Sequence, residues 1–192
     1  MNTYTLEVCG LNRILPLIKI DDENAFASFV IISDTELIEA AAKELSERIR
    51  PYEPEVLVTA EAKGIALAYE VSRQLGMNSF IVARKSVKSY MKNVVSHEVH
   101  SITTTEKQML YLDGSDADQV RGKKVCLLDD VISTGESLQA IEDLVKKAGG
   151  NPVCRAAVLA EGDAAKRKDI IYLERLPLFH KDQNGDYQPV LD

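Results

Sequence analysis

Residues 125–137 read Val125-Cys126-Leu127-Leu128-Asp129-Asp130-Val131-Ile132-Ser133-Thr134-Gly135-Glu136-Ser137. The apolar run Val125 to Leu128 predicts a strand buried on both faces, as in a parallel sheet. Two adjacent carboxylates stand at its carboxyl end, where burying charge is costly unless something there uses it. Small hydroxyl residues around Gly135 follow, and then a helix begins. Backbone N–H groups of such a turn, together with the helix N-terminus, form a cradle for a phosphate monoester. The carboxylates beside it can accept hydrogen bonds from sugar hydroxyls, so the segment suits a phosphorylated sugar. The residues alone also allow a capped helix after a strand, with a solvated acidic pair.

The flanking sequence repeats the strand–turn–helix pattern. Val56 to Ala60 is a short apolar run, Ala62-Lys63-Gly64 turns, and Ile65, Ala68, Val71 and Leu75 form a helical stripe closed by Gly76. Phe80 to Ala83 is the next strand. Arg84 to Glu106 is polar, without a steady period, and too long for a routine connection, which predicts a functional lid. Strands follow at Lys107 to Leu112 and Val125 to Asp129, a helix at Ser137 to Ala148, and a strand at Val153 to Leu159. This alternation predicts an α/β fold with a parallel sheet covered on both faces and ligands at the carboxyl ends of its strands.

Towards the N-terminus, Tyr4 to Val8, Ile14 to Ile20 and Phe29 to Ile32 are rich in strand formers, with Asp21 to Asn24 as a polar turn. Ser33 and Glu36 have capping-box spacing, and Leu37, Ile38, Ala41, Leu45 and Ile49 then recur at helical spacing until Pro51 and Pro54. At the other end, His180 to Asp192 reads as a turn and an extension.

Bulk properties narrow the partners. With 23 Lys and Arg against 30 Asp and Glu, the 192-residue chain carries a formal charge of −7. An extended polyanion such as nucleic acid needs a basic face, so it is disfavoured as the main partner. Three widely spaced cysteines, Cys9, Cys126 and Cys154, read as buried thiols in a reducing compartment. Neither a basic-then-apolar leader nor an apolar run of membrane-spanning length is present, so a cytoplasmic protein with no membrane partner is expected. His97-Glu98-Val99-His100 lacks the H-E-x-x-H spacing of a zinc site and reads as a solvated loop; no protein metal site is expected.

Val125 to Ser137 resembles the phosphoribosyl pyrophosphate (PRPP) signature of the type I phosphoribosyltransferases. The resemblance extends from about Val56 to Leu159 and is closest to the purine branch, which includes adenine and xanthine enzymes. It implies a single domain of residues 1–192. A small hood, roughly 1–32 with part of 160–192, would cover a parallel-sheet core of roughly 33–160. By position, Asp129 and Asp130 would contact the ribose hydroxyls. Val131 and Ile132 belong to the same substrate-binding run, and Ser133, Thr134, Gly135, Glu136 and Ser137 would hold the 5′-phosphate. Ala60 to Gly64 is similar to the loop that cradles the pyrophosphate, with Ala62, Lys63 and Gly64 as contacts and a cis peptide near Ala62-Lys63. Arg84, Lys85 and Lys88 resemble the basic run that meets the pyrophosphate and would, with Asp130, form the catalytic set. On residue type alone, Lys63 and Arg84 are equally readable as surface charges at strand ends.

The implied reaction is displacement of pyrophosphate from the anomeric carbon by a purine ring nitrogen. The protein would supply positioning and charge stabilisation, and Mg²⁺ would be bound mainly through PRPP. The base pocket is less legible. Glu161, where 6-oxopurine relatives commonly place a lysine nearby, suits an exocyclic amino group and favours adenine, unless it faces solvent. Ile18 and Phe26 of the hood would cover the base or belong to the core. Against adenine, Glu106 to Leu110 lacks the glutamate that adenine enzymes typically carry in the strand after the lid; there the sequence looks more like the xanthine branch. Xanthine or hypoxanthine transfer is therefore the alternative activity, and a non-catalytic PRPP-sensing regulator the alternative class. The family resemblance also implies a homodimer.

Overall fold

The computed structural model describes residues 3–99 and 108–190. Three strands open the chain, β1 (Thr3–Val8), β2 (Leu11–Lys19) and β3 (Asn24–Ala27), followed by α1 (Thr35–Ile49), β4 (Val56–Ala60), α2 (Ile65–Gln74) and β5 (Ile81–Ala83). Next come β6 (Val95–Val99), β7 (Gln108–Leu112), α3 (Gly114–Val120), β8 (Lys124–Ile132), α4 (Glu136–Lys147) and β9 (Asn151–Glu161). Strands β10 (Ile171–Leu176), β11 (Leu178–Lys181) and β12 (Tyr187–Pro189) complete it.

The fold is α/β, with the order β10-β9-β8-β4-β5 in a sheet whose neighbours all pair in parallel. Alternate residues of its central strand serve opposite faces. Cys126 and Leu128 pack into the core shared with α1 and α2, whereas Val125 and Leu127 pack into the core shared with α4. That double burial is why β8 reads as a continuous apolar run. Cys126 lies opposite Cys154 across the β8–β9 ladder; both thiols are buried and free.

A second, antiparallel sheet of order β1-β2-β3-β11-β12 stands at the carboxyl edge and forms the hood. Its C-terminal hairpin is built from the very tail that reads as an extension. Lys181 and Tyr187 pair there, and Phe179 is buried with its ring edge against Tyr4 at 5.2 Å. Helix α3 also carries no sequence signal, because only Ala117 and Val120 are buried in a seven-residue polar stretch.

Several local expectations are corrected. Phe29 to Ile32 joins no ladder and ends in a turn, closed by Asp34 N donating to Ile31 O at 2.8 Å; Phe29 and Ile31 plug into the core while Val30 and Ile32 are exposed. Strand propensity there serves burial alone. Asp34, not Ser33, caps α1, accepting from Leu37 N at 3.1 Å. Glu36 does not close a capping box, because Arg13 from β2 takes both carboxylates, reaching Asp34 Oδ1 at 3.0 Å and Glu36 Oε2 at 2.7 Å. Within the stretch expected as a lid, β6 pairs with β7, and His97 is a strand residue whose Nε2 lies 3.5 Å from Asp143 Oδ2 on α4. His100 and residues 101–106 of that stretch lie outside the described residues.

Candidate active site

Four segments meet at the carboxyl edge of the parallel sheet. The loop after β4, the acidic end of β8, the turn into α4 and the end of β9 surround a cavity of about 320 Å³, roofed by Phe26, Ala27, Phe29 and Leu176 from the hood side. Parallel strands bring their carboxyl ends to one edge, so residues a hundred positions apart become neighbours.

The turn into α4 is shaped for an anion. Gly135 is the N-cap with φ +83°, a left-handed conformation that favours glycine, and Glu136 N donates to Thr134 Oγ1 at 3.4 Å. Ser133 and Ser137 line the cavity; Ile132, Thr134, Gly135 and Glu136 do not. Ile132 instead points into the core.

Asp129 and Asp130 both line the cavity. Asp129 Oδ1 accepts from Asp130 N at 2.9 Å. Burial, and then the Asp130 carboxylate, push Asp129 up to about 7, against the opposing pull of Lys63. Asp130 is 5% exposed, and its Oδ2 has no hydrogen-bond partner. Such an orphaned acceptor fits an incoming hydroxyl or a hydrated cation. No group of three or more His, Cys, Asp or Glu among the described residues is arranged to hold a metal ion. The carboxylate oxygens of Asp129 and Asp130 are hard donors of the kind that fit Mg²⁺.

The loop after β4 contributes Ala60, Glu61, Ala62 and Lys63 to the cavity. Its cis peptide is Glu61–Ala62, one bond before the Ala62–Lys63 position expected. At Gly64 a side chain is excluded, since a Cβ there would lie 2.4 Å from Thr59 Oγ1. Glu61 is a site residue that sequence reasoning passed over. It accepts from Lys85 N at 3.0 Å and from Arg84 Nη1 at 3.1 Å, and the first of these leads in holding its carboxyl below its ordinary value. Arg84 is thereby turned to Glu61 and does not line the cavity, whereas Lys85 does. Lys88 also stays outside, with Nζ donating to Ser86 Oγ at 2.7 Å.

At the hood end, Phe26 lines the cavity; Ile18, its partner across β2–β3, shares that face of the sheet but is 44% exposed and does not line the cavity. Phe29, Leu176 and Leu110 line it as well, and only tertiary structure reveals them. Glu161 lines the same end; burial pushes its carboxyl up, and Lys63 opposes this.

A glycine turn, an acidic pair, two lysines and an apolar roof with one carboxyl thus meet at one cavity. Residues 31–185 match the model of the family described as "Phosphoribosyl transferase domain". Among curated relatives, the chain is 30% identical to adenine phosphoribosyltransferase of Oenococcus oeni over 71% of this chain and 75% of that one. It is 32% identical to hypoxanthine/guanine phosphoribosyltransferase of Methanococcus voltae over 81% of each. Among solved structures, adenine phosphoribosyltransferase from Thermoanaerobacter pseudethanolicus superposes with a TM-score of 0.68 at 19% identity, covering 84% of this chain and 95% of that one. At that identity the likeness shows the fold.

Proposed function

The chain belongs to the phosphoribosyltransferase family, and on that premise we propose that it transfers the 5-phosphoribosyl group from PRPP to a purine base, adenine foremost, in purine salvage. One observation carries the reading: the acidic pair, the phosphate turn, Lys63 and the hood's apolar roof all face a single cavity. Asp129 and Asp130 accept from the ribose hydroxyls, and Ser133 to Ser137 hold the 5′-phosphate. Val131 and Ile132 form the strand end that aims them. Ala62, Lys63 and Gly64 bear on the pyrophosphate with Lys85, and Arg84 and Lys88 reach it by exchanging Glu61 and Ser86 for phosphate oxygens. Phe26 covers the planar base, with Ile18 beside it on the same face of the ladder.

In the step itself a ring nitrogen forms a bond to the anomeric carbon while the carbon–oxygen bond to pyrophosphate breaks. Pyrophosphate leaves with the electron pair, and the base's N–H proton is released. The lysines stabilise negative charge that grows on the leaving group. Asp129 and Asp130 would stand beside the Mg²⁺ carried by PRPP, which when bound would supply further charge neutralisation for the leaving group. Glu161 faces the base, where an ionised carboxylate accepts from an exocyclic amino group and repels a carbonyl oxygen. The apolar Leu110 in the cavity wall favours 6-oxopurines as the second reading, since it sits on the strand where adenine enzymes carry a glutamate.

A homodimer fits the open apolar groove between α1 and α2, where Ile32, Ile38, Ile65, Tyr69 and Phe80 are flanked by Glu39 and Arg73. An isologous contact needs both charges on one face. Three free thiols agree with a cytoplasmic location; among the described residues no helix is long and apolar enough to cross a membrane. The test is incubation with PRPP, Mg²⁺ and each of adenine, hypoxanthine, guanine and xanthine, with detection of nucleotide and pyrophosphate. Adenine turnover is expected. Xanthine turnover without adenine turnover refutes the role of Glu161, and no product with any base refutes the enzyme.

A further inference from the structure

The phosphate turn has a cationic neighbour outside the signature segment. A Cβ built on Gly135 would lie 2.6 Å from Arg167 Nη1, so the guanidinium is packed on the bare face of that glycine. Arg167 follows the short helical turn Gly162–Lys166 at the end of β9. Its orientation is set from the other side: Nε donates to Asp169 Oδ1 at 3.0 Å and Nη2 to Asp169 Oδ2 at 2.7 Å. Nη1 makes no hydrogen bond among the described residues, and the side chain keeps 33% of its exposure.

Charge arithmetic shows why this matters. The run Val131 to Ser137 contains no lysine or arginine, and its one ionisable residue, Glu136, is acidic and opens α4. A phosphate monoester dianion in that turn meets helix-dipole and N–H attraction but no cationic side chain from the turn itself. A fixed guanidinium fork beside the turn is the nearest such charge from outside the run.

We propose that Arg167, oriented by Asp169 and packed on Gly135, is a positioning residue for the 5′-phosphate, holding the turn closed on the anion and supplying its missing positive charge. The inference rests on the phosphoribosyl-transfer reading and extends the cradle to a residue some thirty positions downstream in the chain.

The test measures binding of ribose 5-phosphate, and separately of magnesium pyrophosphate, by calorimetry on wild type, Arg167→Ala and Arg167→Lys. Loss of one charge-assisted contact predicts about 10- to 100-fold weaker ribose 5-phosphate binding in Arg167→Ala, with pyrophosphate binding unchanged. Arg167→Lys keeps the charge and recovers at least about half of that loss on a logarithmic scale. In turnover, the alanine variant raises KM for PRPP more than it lowers kcat. Equal losses for both ligands, or ribose 5-phosphate binding within twofold of wild type, overturn the proposal. A wild-type chain that binds pyrophosphate but not ribose 5-phosphate overturns the cradle itself, and this inference with it.

Discussion

Asp129→Asn should make the ligand-free protein more stable while impairing it as a transferase. The Asp129 carboxyl is pushed up to about 7 by burial and by Asp130, from an ordinary 3.8. A group whose folded-state value is raised adds stability that is complete below its unfolded value, near pH 4, and is lost as pH rises through the folded value near 7. With 1.36 kcal/mol per pH unit, ionising Asp129 costs of the order of 4 kcal/mol at pH 8, under about 2 at pH 5 and about 0.5 at pH 4. Asparagine removes that cost and keeps an oxygen to accept from Asp130 N, the 2.9 Å bond of the native chain. Urea unfolding of ligand-free wild type and variant at pH 5 and pH 8 measures the difference. The variant should gain at pH 8 and gain markedly less at pH 5. No gain at pH 8, or the same gain at both, refutes the electrostatic account of the pair. PRPP binding, measured in parallel, should weaken, since stability surrendered at a site is commonly what function requires.

Two further substitutions probe independent parts of the structure. Asp130→Asn removes the charge but not the bulk of the orphaned carboxylate, and should weaken PRPP binding about 10- to 100-fold without loss of thermal stability; unchanged affinity in a binding titration would discard the ribose contact. Asp34→Ala deletes the α1 cap and one partner of Arg13, predicting a loss of about 1–2 kcal/mol and a fall of about 2–8 °C in thermal unfolding; an unchanged melting temperature would show that the cap contributes nothing.

The sites where reading and structure part company share a cause. Val56–Ala60 is both the expected and the observed strand, because burial on both faces imprints its composition directly. Ser33 and Glu36 have the spacing of a capping box, yet Arg13, twenty residues earlier, captures Glu36 and Asp34 and moves the cap by one residue. Phe29 to Ile32 has strand composition and no ladder partner. The tail from Leu178 onward is a hairpin only because β3 offers an edge for β11 to join. In the site, Lys63 and Lys85 reach the cavity, whereas Arg84 is drawn off by Glu61 and Ile18, on the same sheet face as Phe26, stays outside the cavity.

What the amino-acid sequence determined by itself is the local chemistry. The apolar run ending in Asp129 and Asp130, the glycine turn and the following helix are contiguous, and short-range sterics and periodicity suffice to specify them. What the tertiary structure decided is who shares that site. Glu61, Phe29 and Leu176 come to the same cavity from separate stretches of chain, because parallel strands deliver their ends together and a second sheet folds across them. Pairing and burial between distant segments leave no periodic trace in any one of them, and it is those contacts that bring the acidic strand end and the glycine turn into one shared cavity.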